Sequence, residues 1–214
     1  MKKGYLFLFL VIIISPWTWV IADTSLIIFI VLIITSVLIY RSLYLNELSN
    51  LYNKTVICLF LIAYFHLITN SFDKSLIEIY KKGTPLISKR QEYFSRELGK
   101  IYRNRYGIFY FNKIEPVLFK YLNNISYAID LQTYFLPINE NAKSKYPIYF
   151  IPFLLVGLFY IIEKPKKLFF ITTILSILLL GFINTRNSIG PMLLYPIIGS
   201  IISLGAMKLI NKKI

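Results

Sequence analysis

The feature that most constrains this chain is a series of apolar runs that carry almost no charge. Between Lys167 and Lys208 the single Lys, Arg, Asp or Glu is Arg186. A helix of about 20 apolar residues matches the hydrocarbon core of a bilayer. Six such stretches of varying length are present, at residues 5–22, 25–40, 56–69, 148–162, 168–183 and 192–210. This pattern predicts an all-α polytopic membrane protein with about six transmembrane helices.

The composition agrees with a membrane protein and argues against a nucleic-acid-binding domain. Charged residues make up only 16% of the 214, whereas a soluble domain carries about a quarter. The net charge of +14 would suggest nucleic acid in a soluble protein. Here the basic residues flank apolar stretches and can face anionic lipid, so membrane lipids are the expected partners and nucleic acid is not.

The distribution of Lys and Arg in the short loops predicts the orientation. Basic residues precede the first stretch, separate the second from the third and the fourth from the fifth, and end the chain. They are Lys2, Lys3, Arg41, Lys54, Lys164, Lys166, Lys167, Lys212 and Lys213. The short turns on the opposite side hold only Asp23 and Arg186. We therefore expect both termini in the cytoplasm of a cell-membrane protein, with residues 70–147 outside it.

The first apolar stretch has two interpretations. Lys2, Lys3, the apolar run and the small residue Ala22 fit a signal peptide cleaved before Asp23. Trp17 and Trp19 instead suggest an aromatic belt at the interface, with the chain turning back at Asp23. The second interpretation is preferred. It divides the chain into three helices (1–69), an extracytoplasmic cap (70–147) and three further helices (148–214).

Two amphipathic helices are predicted within the cap. In residues 114–129 apolar side chains recur at three- and four-residue steps, which places Lys120 and Asn124 on the opposite, solvated face. Residues 89–106 combine an apolar stripe with many basic side chains, Arg103 and Arg105 among them, and the segment 107–111 links the two helices. A basic amphipathic helix of this kind is expected to lie on the membrane and reach headgroup phosphates.

Motifs of soluble enzymes are absent from the sequence. There is no glycine-rich phosphate loop, no nucleophile elbow and no cluster of His, Asp and Glu at metal spacing, so neither a cofactor nor a metal is expected. Asp23 and Asp73 lie near the membrane surface, where a carboxylate could act as a general base. The alternative for Asp73 is a solvated helix start, and Asp23 has the same two interpretations. His66 is either a functional group or a packing residue.

Arg186 lies in a short outside turn, in a region otherwise free of charge. The planar guanidinium pairs bidentately with phosphate, and Asn184, Asn187 and Ser188 in the same turn supply further polar groups. These four residues are therefore candidates for binding a lipid phosphate. The alternative is an arginine that snorkels to the interface and anchors the end of the helix.

The order of features over residues 88–210 resembles the C-terminal half of polytopic glycosyltransferases of the C type. These are relatives of the protein mannosyltransferases and of the aminoarabinose transferases. The resemblance rests on Phe111-Asn112-Lys113, on a helix ending in Tyr134-Phe135-Leu136, and on the segments YPIYFIPF (146–153), RNS (186–188) and LLYP (193–196). It implies a site on the outer face of the membrane for a polyprenyl-phosphate-linked sugar.

The chain also departs from that family. Its members carry a longer N-terminal half, whose first outside loop holds the acidic pair that acts as base and contacts metal. Here the first outside turn offers only Asp23. The resemblance therefore implies a protein that binds or presents a polyprenyl phosphate or lipid headgroup, beside a catalytic partner, and leaves open whether it is an enzyme. The runner-up is a non-enzymatic subunit or scaffold of an envelope complex, and a small transporter is a third alternative.

Overall fold

The structure, a computed structural model, describes residues 2–43, 49–74, 76, 85–137, 144–184 and 191–211. Every regular element within these ranges is helical, apart from one antiparallel bridge between Phe72 and Ile183. The helices are α1 (Lys2–Ile14), α2 (Pro16–Thr24), α3 (Leu26–Ser42), α4 (Asn50–Ser71), α5 (Pro85–Glu97), α6 (Lys100–Arg103), α7 (Arg105–Phe109), α8 (Glu115–Ile129), α9 (Gln132–Phe135), α10 (Ile151–Glu163), α11 (Lys167–Leu180) and α12 (Tyr195–Asn211).

The first apolar stretch is a bent pair of helices. Pro16 disfavours a helical conformation at the residue before it, and Ser15 is accordingly extended, with φ −68° and ψ 120°. The axes of α1 and α2 differ by 69° as a result. Ser25 then caps α3, its Oγ accepting a hydrogen bond from the Ile28 N–H.

Helix α12 forms the centre of the bundle. It packs against α1, α3 and α10. Of the most apolar segment within Met192–Ile210, 83% is buried inside the protein, against 22% of the corresponding segment of α4. Ser200 illustrates how polar groups in this core are satisfied: its Oγ lies within hydrogen-bond distance of the Pro196 carbonyl on its own helix, at 2.6 Å, and of the Ser36 carbonyl on α3, at 3.3 Å. The last apolar stretch is therefore the most buried of the candidate spans, while α4 lies at the periphery.

Two glycines allow α10 and α12 to approach closely. A Cβ on Gly205 would lie 1.8 Å from the Phe153 carbonyl oxygen, and one on Gly157 would lie 2.1 Å from that of Ile201. Small residues are the usual means by which membrane helices bring their backbones together. Any larger side chain at either position would force these helices apart.

Within the described residues, length and hydropathy single out two helices that can cross a membrane, Asn50–Ser71 and Met192–Ile210. The bent pair of Gly4–Ile14 and Pro16–Thr24 makes a third if it forms one span. The helices Leu26–Ser42, Ile148–Glu163 and Lys167–Leu180 are apolar but shorter. For the described residues, the all-helical fold and the presence of helices apolar and long enough to cross a membrane are thus confirmed, whereas the multi-pass arrangement, the count of six spans and the orientation stay predictions.

The cap differs from its prediction in detail. The helix expected over residues 89–106 begins earlier, at Pro85, and ends at Glu97, because Gly99 adopts φ +49° and breaks it before α6. The segment 107–111, expected as a linker, is helical: it completes α7 and enters a π-helical turn at Tyr110–Ile114. The helix expected over 114–129 is present as α8.

Candidate functional site

The ends of α4 and α11 are joined by backbone hydrogen bonds. The Asp73 N–H donates to the Phe182 carbonyl at 3.2 Å, and the Asn184 N–H donates to the Ser71 carbonyl at 3.0 Å. These bonds satisfy carbonyls that would otherwise lack a partner where the two helices end. They also bring the residue after α4 next to the turn that follows α11.

Asp73 is buried at this junction, with 5% of its surface exposed. Its Oδ2 accepts a hydrogen bond from Asn124 Nδ2 at 3.0 Å and lies 3.6 Å from Lys120 Nζ. Asn124 Nδ2 also donates to the Gly181 carbonyl at 3.1 Å. We call Asp73, Lys120 and Asn124 the junction cluster. The interpretation of Asp73 as a solvated helix start is therefore wrong, because α8 covers it.

Helix α8 reaches this junction with the face that the sequence pattern placed in water. Lys120 and Asn124 are one turn apart on it, so both side chains point the same way. Asn124 is 2% exposed, and the side chain of Lys120 is 31% exposed. The expectation that both are solvated is wrong for Asn124, because its amide is enclosed between Asp73 and the Gly181 carbonyl.

Tyr121 secures the same contact from the neighbouring position on α8. Its hydroxyl donates to the Leu178 carbonyl at 2.9 Å, and its ring meets that of Phe182 edge-on at 4.9 Å. The ring fits because residue 181 is glycine: a Cβ there would lie 2.2 Å from it. The end of α11 is therefore shaped to receive α8.

The other site residues predicted from the sequence fall in several places. Arg186, Asn187 and Ser188 lie outside the described residues, so their role stays a prediction, while Asn184 is the last described residue before them and is half-buried. Asp23 is exposed in the last turn of α2, and Arg105 is exposed at the start of α7. For Arg103 the structure describes only the backbone, in α6.

His66 borders a small cavity between the α2–α3 turn and the end of α4. Most of the surface that lines this cavity is apolar. Its polar lining residues besides His66 are Thr24, Ser25, Asn70 and Ser71. The His66 ring nitrogen Nε2 lies 3.2 Å from Asn70 Nδ2. Within the described part of the chain no three His, Cys, Asp or Glu residues come together as metal ligands. His66 thus has one side-chain partner on its own helix, as a packing residue would.

A second polar centre, around Lys145, is one that the sequence pattern does not predict. Lys145 is 8% exposed, and its Nζ donates to the Thr133 carbonyl at 2.8 Å. The ammonium lies 5.6 Å from the ring centroid of Trp17 and 5.3 Å from that of Tyr134. Burial lowers the pKa of Lys145 to about 8. A lysine in a polar loop is normally expected to be solvated, and nothing in the neighbouring sequence indicates that Lys145 is buried.

Lys145 also connects the cap to the bent N-terminal helix pair through its backbone. The Lys145 carbonyl accepts hydrogen bonds from Ser15 Oγ at 2.7 Å and from the Trp17 N–H at 3.3 Å.

Trp17 is 1% exposed and contacts the rings of Tyr134, Tyr146 and Tyr195 at centroid distances of 5.7, 5.9 and 5.5 Å. Its prediction as an interfacial belt residue is therefore wrong, while Trp19 is 58% exposed, as a belt residue would be.

No protein-family model, no curated protein and no solved structure matches this chain.

Proposed function

We propose that this chain is a six-span membrane protein that binds or presents a lipid-linked phosphate at the extracytoplasmic ends of α4 and α11. Such a protein would be similar to the C-terminal half of a C-type glycosyltransferase that uses polyprenyl-phosphate sugars. The observation that carries the proposal is the junction cluster, which holds an ammonium and an amide where the candidate span α4 ends.

The packing of the shorter apolar helices supports six spans. Helices α3 and α10 pack on α12, and α11 packs on α4, so each lies beside a helix long enough to cross. The 17 residues of α3 and the 14 of α11 extend about 25 and about 21 Å, so flanking residues would complete each crossing of the roughly 30 Å core. Every Lys/Arg-rich short loop then falls on one side of the membrane.

The orientation can be tested with single cysteines in a Cys58→Ser background. Glu97 is exposed at the end of α5 in the cap, and Lys164 is exposed in the turn between α10 and α11. We expect an impermeant maleimide to label Glu97→Cys on intact cells, and to label Lys164→Cys only after the membrane is breached. The reverse pattern would overturn the orientation. Labelling of both on intact cells would overturn the crossing by α10.

The chemistry of the junction suits a phosphate at the membrane surface. Lys120 keeps part of its side chain in solvent, and an ammonium has three donors, so its 3.6 Å contact with Asp73 leaves donors for a ligand. Asn184 is the last described residue at this junction, and the turn predicted from the sequence to hold Arg186, Asn187 and Ser188 follows it in the chain. A planar guanidinium from that turn would add bidentate pairing to the point charge of Lys120.

The proposal predicts that Arg186→Lys weakens the affinity for a polyprenyl monophosphate. Lysine keeps the charge but loses the planar fork, so we expect a loss of about 1–3 kcal/mol, which is roughly five- to 150-fold in Kd. The measurement is a titration of the purified protein in detergent. Arg41→Lys is the matched control and should bind like the wild type, because Arg41 lies in the last turn of α3, on the proposed cytoplasmic side. Equal affinity of the wild type and Arg186→Lys would leave the snorkelling anchor as the explanation of Arg186.

One observation favours the non-enzymatic alternative. Among the acidic residues whose burial the structure describes, only Asp73 is buried, and it already contacts Lys120 and Asn124. In a scaffold protein, such a contact would serve only to stabilise the fold. If the wild type shows no affinity for polyprenyl phosphate and co-purifies with a stoichiometric protein instead, the binding function is wrong and the scaffold is the better description.

A further inference from the structure

Helix α8 buries one polar side chain and exposes several large apolar ones, which is unusual for a helix on a soluble protein. Its polar residue Asn124 is enclosed by protein, whereas four large apolar side chains face outward. These are Leu118, Phe119, Leu122 and Ile129, with exposed fractions of 44, 71, 49 and 53%. We call them the α8 stripe. Patches of this kind on a soluble surface mark a binding site for protein or membrane.

The position of α8 along the bundle decides which of these partners the stripe meets. The Tyr121 hydroxyl bonds to the carbonyl of Leu178, which lies in the last turn of α11 rather than beyond it. Asp73, the second residue after the candidate span α4, contacts Lys120 and Asn124. Helix α8 thus lies beside the ends of two membrane helices, at the depth where the bilayer surface is expected, and not above them in water.

Helix α11, which packs against α8, also carries an exposed apolar surface. The side chains of Ile174, Leu178 and Phe182 are 57, 49 and 43% exposed and follow one another along one side of α11 and the turn after it. The ring of Phe182 contacts Tyr121 on α8. If α11 spans the membrane, as in the arrangement proposed above, this side of it faces acyl chains. The same lipid surface then extends onto α8.

Exposed basic side chains lie in the segment that leads into α8. Lys100, Arg105 and Lys113 are all exposed, and Lys113 Nζ lies 5.8 Å from the centroid of the Phe109 ring. A cap that carries both an apolar stripe and exposed cations suits the boundary between acyl chains and anionic headgroups.

We infer that the α8 stripe is inserted into the extracytoplasmic leaflet, at the boundary of headgroups and acyl chains. The cap is then part of the membrane region rather than a domain held above it by charge. The junction cluster lies on the inner side of this inserted helix, with the side chain of Lys120 partly exposed. The inference rests on the six-span arrangement of the proposed function but not on polyprenyl-phosphate binding.

Depth-dependent fluorescence quenching tests the insertion. In a Cys58→Ser background, the variants Leu122→Cys and Phe119→Cys are labelled with an environment-sensitive fluorophore. The proteins are then reconstituted into vesicles of phosphatidylcholine and phosphatidylglycerol. Leu178→Cys on α11 is the lipid-facing reference, and Glu97→Cys on α5 is the water-facing one. We expect both stripe positions to be quenched by spin-labelled phosphatidylcholine comparably to Leu178 and to be protected from iodide. This pattern should persist at high salt.

Each other outcome contradicts the inference in a distinct way. Quenching of the stripe positions by iodide, as at Glu97, would place α8 in water. Protection from both quenchers would mean that protein covers the stripe, either a partner or a second copy of this chain. If Leu178 itself is not quenched by the spin-labelled lipid, the six-span arrangement fails, whatever the result for polyprenyl phosphate. Because two stripe positions are tested, misfolding of one variant does not decide the result.

Discussion

Gly205→Ala is expected to destabilise the helix bundle strongly, although it adds only one methyl group. The new Cβ would lie 1.8 Å from the Phe153 carbonyl oxygen and 2.8 Å from the Gly157 nitrogen, both backbone atoms of α10. Neither atom can rotate away, so α10 and α12 must separate along their contact. Overpacking of this kind costs about 3 kcal/mol or more, which lowers the unfolding midpoint of a protein of this size by roughly 10 °C.

The same helix offers a matched control for this prediction. A Cβ on Gly199 would meet only the Tyr146 hydroxyl, at the ordinary contact distance of 3.7 Å. Gly199→Ala should therefore unfold within a few degrees of the wild type, or slightly higher, since alanine favours the helix. Thermal unfolding of the purified proteins in detergent gives the comparison. Equal midpoints for the two alanine variants would show that α10 and α12 do not pack as described.

The second large effect is an increase of stability with pH that depends on Lys145. Its pKa is about 8 in the folded protein, against an ordinary value of 10.5. Between these values the unfolded chain binds more protons, so the free energy of unfolding rises as the pH increases from about 8 towards 10.5. Integrated over that window, the gain is at most about 3 kcal/mol. Below pH 8 the buried ammonium is charged in both states and its full cost is present.

Two neighbouring tyrosines set the upper limit of the useful pH range. Burial raises the pKa of Tyr134 and of Tyr146 well above 10, so each affects stability only once the unfolded tyrosine begins to ionise, near pH 10. The unfolding midpoint should therefore be compared between pH 7.5 and pH 9.5. We expect Lys145→Met to remove most of the increase seen in the wild type. Lys164→Met, at an exposed position, should retain it. A pH profile unchanged by Lys145→Met would show that this ammonium is not buried.

The apolar runs by themselves were sufficient to predict a helical membrane protein. In hydrocarbon a backbone has no water to bond, so a long apolar run must satisfy its own N–H and C=O groups as a helix. Local signals were equally informative for the amphipathic helix expected over 114–129, which is present as α8. Each of these features depends on residues that are neighbours in the chain.

The environment of the polar side chains was decided only by the tertiary structure. Asn124 meets a carbonyl 57 residues away, and the carbonyl of Lys145 meets a hydroxyl 130 residues away. Periodicity shows which residues share a face of a helix, but it does not show what that face meets. For α8 the usual assumption that polar residues face water was wrong at Asn124, because the helix lies against polar groups at the ends of α4 and α11. The sequence alone therefore determined the helical membrane class, whereas the burial of Asp73, Asn124 and Lys145 followed from which helix ends the fold brings together.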